Sequence, residues 1–150
     1  MFDMKKYKVG YIAGVFDLYH IGHLNLFRRA KEVCDYLIVG VLVDDLAIAC
    51  KNKKPFIPFE ERIQIVESIK YVDKAVVVVQ ETLDKMVAWE KYHFDCLFSG
   101  DDWKGNPIWD MEEKKLNSVG ADIVFFPYTK SISSTQLRHS IKEALHTGQS

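Results

Sequence analysis

Five short apolar segments alternate with segments of helical spacing, and this alternation constrains the fold more than any other feature of the chain. The apolar segments are rich in Val, Ile and Phe, and they are apolar almost throughout, as expected for parallel strands covered on both faces. The predicted strands are 9–13, 36–43, 75–79, 96–99 and 122–126. The predicted helices are 23–33, 59–71, 82–92, 107–119 and 134–145.

Five strand-then-helix units predict a Rossmann-like, doubly wound α/β fold: a five-stranded parallel sheet with helices on both faces and right-handed crossovers. A chain of 150 residues without an internal repeat or a linker fits a single domain over 1–150. In such sheets, ligands bind beyond the carboxyl ends of the strands, where the strand order reverses. The loops of functional interest are therefore 14–22, 44–58, 100–107 and 127–134.

Composition argues against several classes of function. A net charge of −1 provides no sequence-wide basic field for nucleic acid. Cys34, Cys50 and Cys96 form no CxxC pair, so a zinc site or a disulfide framework is not expected, and Cys34 and Cys96 are expected to be buried. Without a signal-peptide pattern or a run of about 20 apolar residues, we expect no membrane span and a cytoplasmic protein.

The loop after the first predicted strand contains two histidines around a glycine. In the segment from Gly14 to His23, GVFDLYHIGH, His20 and His23 are three residues apart at the start of a helix. Their rings can therefore lie on one side of the first turn. Gly22 leaves backbone N–H groups open to an anion, and a helix N-terminus favours phosphate. The loop therefore predicts a phosphate site with imidazole donors.

Two other loops each allow two interpretations. Lys51, Lys53 and Lys54 form a charge run that is either a solvated loop or a phosphate contact, and its position after a strand favours phosphate. The Asp101-Asp102 pair either caps a turn or belongs to the site, and Trp103 either stacks on a base or packs the loop.

The HxGH motif resembles that of the nucleotidyltransferase superfamily, and three further segments resemble its cytidylyltransferase family. These are Phe59-Glu60-Glu61-Arg62, the GDDWKG segment that starts at Gly100, and Ile132-Ser133-Ser134-Thr135. The GDDWKG segment is similar to that of the bacterial glycerol-3-phosphate cytidylyltransferases in particular. The resemblance extends over about residues 8–141.

The resemblance implies a homodimeric enzyme that uses CTP and Mg²⁺, or another divalent cation, to make a CDP-alcohol and pyrophosphate. The acceptor would be a small phosphorylated alcohol, either glycerol 3-phosphate or a related phospho-alcohol or phosphonate. Two alternatives stay open: an adenylyltransferase of the same fold acting on a phosphorylated cofactor precursor, and a non-catalytic nucleotide-binding module. No metal ligand is assigned.

The resemblance also implies roles for individual residues. His20 and His23 would contact the triphosphate and stabilise the transition state, with Asp17 beside them and with Lys51 and Lys53 reaching phosphates. The residues expected to bind nucleotide are Gly14, Val15, Phe16, Gly22, Arg62, Gly100, Asp101, Trp103, Tyr128, Thr129, Ile132, Ser133, Ser134 and Thr135.

Two positions depart from the family pattern. Tyr128 and Ser131 stand where the family usually has Arg and Gly. A tyrosine cannot replace the bidentate phosphate contact of a guanidinium. We therefore expect glycerol 3-phosphate not to be the best acceptor.

Overall fold

A five-stranded parallel sheet, ordered β3-β2-β1-β4-β5, forms the centre of the molecule. The computed structural model describes residues 5–127 and 134–147. The strands are β1 (Tyr7–Gly14), β2 (Cys34–Leu42), β3 (Lys74–Val78), β4 (Cys96–Gly100) and β5 (Asp122–Phe126). All five predicted strands are confirmed, and the predicted parallel sheet with them.

Close packing at the middle of the sheet depends on small residues. β1 pairs with β2 along its length, from Tyr7 opposite Cys34 to Gly14 opposite Val41. A Cβ at Gly10 would lie 2.5 Å from the Phe98 ring and 2.8 Å from Cys34 Sγ, so this position of β1 has no room for a side chain. Cys34 and Cys96 are fully buried, as predicted.

The helices cover both faces of the sheet, as predicted for a doubly wound fold. The helices are α1 (Ile21–Val33), α2 (Asp44–Lys51), α3 (Phe59–Glu67), α4 (Gln80–Leu83), α5 (Lys85–Tyr92), α6 (Pro107–Ser118) and α7 (Ser134–Thr147). Phe27 of α1 and Val66 of α3 are buried on one face, whereas Ala88 of α5 and Leu116 of α6 are buried on the other. None of the helices within the described ranges is long and apolar enough to cross a membrane.

The helix prediction was wrong in three places. The predicted loop 44–58 contains α2, whose Leu46 and Ala47 are buried against the sheet end. The predicted helix 82–92 is divided at Asp84, because its extended backbone ends α4 while its side chain accepts hydrogen bonds from the first turn of α5. The predicted helix 59–71 ends at Glu67, and the chain after it turns so that Asp73 N donates to Leu37 O.

The strand order places a crevice between β1 and β4. The chain passes from β1 through β2 to β3 at one edge, and then crosses to β4 on the other side of β1. The order therefore reverses beside β1, and the loops after β1 and β4 diverge at their carboxyl ends. Helix α1 follows β1 directly, so its N-terminus lies at this crevice.

Candidate active site

The loop between β1 and α1 has a fixed shape because of Phe16. A Cβ at Gly14 would lie 2.8 Å from the Phe16 ring, so the ring occupies the space that a side chain at Gly14 would need. Phe16 also meets the Phe27 and His23 rings edge-on, with centroids 5.1 and 5.3 Å apart. Phe16 and Leu18 have φ values of 55° and 52°, a left-handed conformation that costs a non-glycine residue about 1–2 kcal/mol. Burial of the Phe16 ring offsets part of that cost.

His20 and His23 form the N-terminal cap of α1. His20 Nδ1 accepts a hydrogen bond from Gly22 N at 3.0 Å, and His23 Nδ1 accepts one from His20 N at 3.3 Å. Each Nδ1 is an acceptor here, which assigns the ring proton to Nε2 in both histidines. The two side chains thus satisfy backbone groups of the first turn, and within residues 5–127 and 134–147 neither Nε2–H donates to a protein group, so each can donate to a ligand.

Both imidazoles are held in the neutral form. Burial lowers the pKa of His20, and the pKa of His23 falls to about 3 through burial, the neighbouring His20 ring and the positive charge of Lys51. The rings stack with centroids 3.9 Å apart and 25° between their planes, so protonating one disfavours protonating the other. At neutral pH the pair therefore offers two uncharged donors at the positive end of a helix.

A cavity of about 230 Å³ opens between α1 and the ends of β1, β4 and β5. His20, Gly22 and His23 form one wall, while Gly100 and Trp103 form another. The other predicted residues that line it are Gly14, Val15, Phe16 and Lys51. The predicted loops after β1 and β4 thus meet at one site with room for a nucleoside.

A second cavity, of about 350 Å³, lies on the side of the lysines. Lys51, Lys53 and Arg138 line it together with Asp17. The residues that line both cavities are Val15, Phe16, His23, Lys51 and Trp103. A ligand spanning the two cavities would therefore pass His23 and Lys51 where they join.

The carboxylate of Asp17 is engaged in the protein's own structure. It is 3% exposed and accepts hydrogen bonds from Phe56 N at 2.9 Å and Ile57 N at 3.0 Å. It also forms an ion pair with Arg138. Asp17 thus lies within the loop between β1 and α1, hereafter the histidine loop, and it anchors the segment of residues 52–58, hereafter the 52–58 loop.

Arg62, which the sequence predicts to contact the nucleotide, is buried and lines neither cavity. It is 1% exposed; its Nε donates to Ile57 O at 2.8 Å and its guanidinium to Val15 O at 2.7 Å. The guanidinium also pairs with Asp44 at 2.6 Å. Arg62 therefore joins the histidine loop, α2 and the 52–58 loop from within, since all these donors are directed at protein acceptors.

The segment after β4 presents a different carboxylate from the expected one. It forms a short 3₁₀ helix, Asp101–Trp103, in which Asp102, rather than the predicted Asp101, lines the first cavity. Trp103 stacks on Trp109 with centroids 5.6 Å apart while also lining both cavities. Packing of the loop and contact with the site are thus combined in Trp103.

The last predicted segment is described only in part. Tyr128, Thr129, Ile132 and Ser133 lie outside the described residues, as does Ser131. Ser134 and Thr135 begin α7, as the sequence predicted, and the structure describes only their backbone.

Some of the described residues that line the cavities were missed from the sequence, including three on α1 and α7. Asn25 and Arg29 line the first cavity, and Arg138 lines the second. Asn25 and Arg29 follow Gly22 by three and seven residues on α1, the spacing of one helix face. Arg138 likewise follows Ser134 by one turn, so extending each motif along its helix would have found all three.

Comparison with known proteins assigns the family. The family model described as cytidylyltransferase-like matches residues 11–140. A glycerol-3-phosphate cytidylyltransferase from Bacillus subtilis is 34% identical, over 85% of this chain and 92% of its own. An FAD synthase from Thermococcus kodakarensis is 32% identical over 78% of each chain. The crystal structure of a lipopolysaccharide core biosynthesis protein from Thermoplasma volcanium matches with a TM-score of 0.68 and 25% identity, over 84% of this chain and 99% of that one.

The matched residues run from β1 into α7, so they include the histidine loop and all the elements around both cavities. Of the two sequence relatives given above, one is named a glycerol-3-phosphate cytidylyltransferase and the other an FAD synthase. The chain belongs to the cytidylyltransferase-like family and is a nucleotidyltransferase.

Proposed function

We propose that the chain transfers CMP from CTP to a small phosphorylated alcohol, giving a CDP-alcohol and pyrophosphate. The observation that carries this proposal is the pair of neutral Nε2–H imidazoles at the N-terminus of α1, where the two cavities join. The similarity to glycerol-3-phosphate cytidylyltransferases supports CTP as donor and a phospho-alcohol as acceptor. Glycerol 3-phosphate or a related phospho-alcohol or phosphonate fits this chemistry.

The transfer is a direct displacement at the α-phosphorus. An oxygen of the acceptor phosphate forms the new bond, the bond between the α-phosphorus and the bridging oxygen breaks, and pyrophosphate leaves with both electrons. An acceptor phosphate that is already ionised needs no general base. Because both Nδ1 atoms accept backbone N–H groups, the imidazoles act as donors to phosphate oxygens and not as bases.

The cations along the second cavity support an assignment of the phosphates. Lys51 and Lys53 line it, and Lys51 also reaches the first cavity. With the nucleoside in the first cavity, the phosphates extend past His23 towards these lysines. Positioning and charge neutralisation then account for the rate, as is usual for phosphoryl transfer.

A divalent cation, Mg²⁺ by expectation, fits this site only together with the substrate. Among the residues the structure describes, no three His, Cys, Asp or Glu side chains converge on a metal position. Asp102 lines the first cavity, and Asp17, which is engaged by two backbone N–H groups and Arg138, lines the second. Mg²⁺ commonly binds through phosphates, waters and one or two carboxylates. When bound, it would neutralise phosphate charge.

The experiment is pyrophosphate release with CTP or ATP against a panel of phospho-alcohols and phosphonates. The matched variants are His23→Ala in the site and His139→Ala on α7, where the side chain is 73% exposed and pairs with Glu143. We expect turnover with CTP, its loss in His23→Ala and its retention in His139→Ala. Equal activity of the two variants would contradict the proposal.

An adenylyltransferase activity is the second candidate, and the similarity to FAD synthases favours it. The same site geometry suits either nucleobase, cytosine or adenine, since His20, His23 and the lysines would contact the phosphates and not the nucleobase. Release of pyrophosphate that is faster with ATP than with CTP would select this candidate.

Homodimer formation and a cytoplasmic location stay proposals. Ile108 and Met111 on α6 are 66% and 59% exposed, an apolar surface that a second copy could cover. Light scattering of the purified chain, with Met111→Glu as the comparison, tests the dimer. Fractionation of cells that express the chain tests the location.

A further inference from the structure

Arg138 contacts two separate parts of the site from one position on α7. Its guanidinium pairs with the carboxylate of Asp17, donates to Lys54 O at 3.1 Å, and lies 4.5 Å from the centroid of the Phe56 ring. Asp17 belongs to the loop that carries the histidines. Lys54 and Phe56 belong to the 52–58 loop. One side chain therefore connects α7, the histidine loop and the 52–58 loop.

The ion pair at the centre of these contacts is shielded from water. The side chains of Asp17 and Arg138 are 4% and 15% exposed. Asp17 also accepts the Phe56 and Ile57 N–H groups, so both charged partners are tied to the same loop. Removing one member of such a pair leaves a buried charge without compensation. The arrangement of the 52–58 loop therefore depends on both residues together.

The position of the lysines follows from this loop. Lys51 ends α2, and Asn52 then adopts a left-handed conformation with φ of 55°, so the chain changes direction between Lys51 and Lys53. Lys53 lines the second cavity from the segment that Arg138 holds. A shift of the loop would move the Lys53 ammonium relative to His23, and displacements of about 1 Å can lower turnover on the order of 100-fold.

We propose that Arg138 is a positioning residue, which with Asp17 forms a clasp that sets α7 and the 52–58 loop against the histidine loop. The clasp acts on the transfer step and rests on the proposed function in that respect. Arg138 acts through Asp17 and the loop backbone, so its loss lowers kcat more than it changes nucleotide binding. Its guanidinium is directed at protein acceptors, as the contacts above describe.

The experiment compares Arg138→Met, Arg138→Lys, Asp17→Asn and the double variant Asp17→Asn/Arg138→Met. Lys142→Met, one turn further along α7, removes the same charge as a control. The first measurement is hydrogen exchange at the Phe56 and Ile57 amides in the ligand-free protein, with the β2 amide of Val39 as the reference for global unfolding. The second is kcat and KM for CTP.

The clasp predicts exchange at Phe56 and Ile57 at least 10-fold faster in Arg138→Met, with Val39 unchanged and Lys142→Met like the wild type. It predicts a fall in kcat of at least 10-fold with KM changed less than 3-fold, partial rescue in Arg138→Lys, and a double variant no worse than the poorer single one. Unchanged exchange at both amides overturns the clasp. A 10-fold rise in KM for CTP caused by Arg138→Met, equal in the wild-type and the Asp17→Asn backgrounds, also overturns the clasp. That result would assign Arg138 to the substrate phosphates.

The design separates the clasp from the proposed function. If the wild-type chain releases no pyrophosphate from CTP, the proposed function fails, and the exchange measurement still decides whether the clasp exists. If Arg138→Met does not fold, Arg138→Lys carries the test: it keeps the charge and loses the guanidinium whose Nη2 donates to both Asp17 and Lys54 O.

Discussion

Replacing Arg62 by Met tests whether this arginine is structural. The substitution removes three charge-assisted hydrogen bonds, to Ile57 O, Val15 O and Asp44, and keeps most of the apolar volume. Such bonds contribute about 1.5–3 kcal/mol each. The Asp44 side chain is 33% exposed and can be rehydrated, which reduces its share. We therefore expect the free energy of unfolding to fall by about 3–5 kcal/mol.

A loss of that size is a large part of the stability of an ordinary domain, about 5–15 kcal/mol. It corresponds to a fall in Tm of roughly 10 °C for a chain of this length. Urea unfolding followed by circular dichroism measures it, with Arg28→Met as the control, since the exposed Arg28 hydrogen-bonds only to Asn25 among the described contacts. A variant within 0.5 kcal/mol of the wild type whose KM for CTP rises tenfold would refute this reasoning, because Arg62 would then reach the nucleotide.

Three further predictions concern the histidines and the substrates. His20→Ala and His23→Ala should each lower kcat by roughly 10²–10³ while destabilising the fold by about 1 kcal/mol through loss of the helix cap, as steady-state kinetics and urea unfolding will measure. The pKa of His23 is about 3 in the folded protein and 6.5 in the unfolded chain, so between pH 6.5 and pH 3 the proton binds mainly to the unfolded state. The free energy of unfolding should therefore fall by about 2 kcal/mol between pH 8 and pH 5. Urea unfolding at the two pH values measures this, and His23→Gln should abolish that part of the fall. CTP should give faster pyrophosphate release than ATP. Another phospho-alcohol or phosphonate should exceed glycerol 3-phosphate in kcat/KM, because Tyr128 stands where the family has Arg. The opposite ranking in either assay would contradict the prediction that it tests.

The sheet was predictable because its strands are short, nearly continuous apolar runs between polar segments. Parallel strands buried on both faces leave a continuous signal in the sequence, and all five appear where that signal lies. Helix boundaries were less predictable because they depend on single contacts. Asp84 divides a helical pattern by capping α5, and α2 lies in a segment with many charges that gave no long apolar stripe.

The site was predictable where a motif lies at the end of a strand. His20, His23 and Gly22 line one cavity because β1 leads directly into α1. The role of Arg62 was not predictable in this way, since the same positive charge can face a phosphate or a buried carboxylate. Its direction depends on Asp44, which is 18 residues distant and is brought near only by the fold.

The cap of α1 also bears on how a chain of this kind would change under selection. Histidine is not among the preferred N-cap residues, whereas Ser, Thr, Asp and Asn are. Desolvation of His23 adds a penalty in acid, so a lineage released from the need for turnover would gain stability by exchanging these histidines for better caps. We expect descendants that keep the fold and lose the reaction to show Asp, Asn or Ser at position 20. A histidine retained there, against the preference of the helix, indicates that the reaction is still under selection.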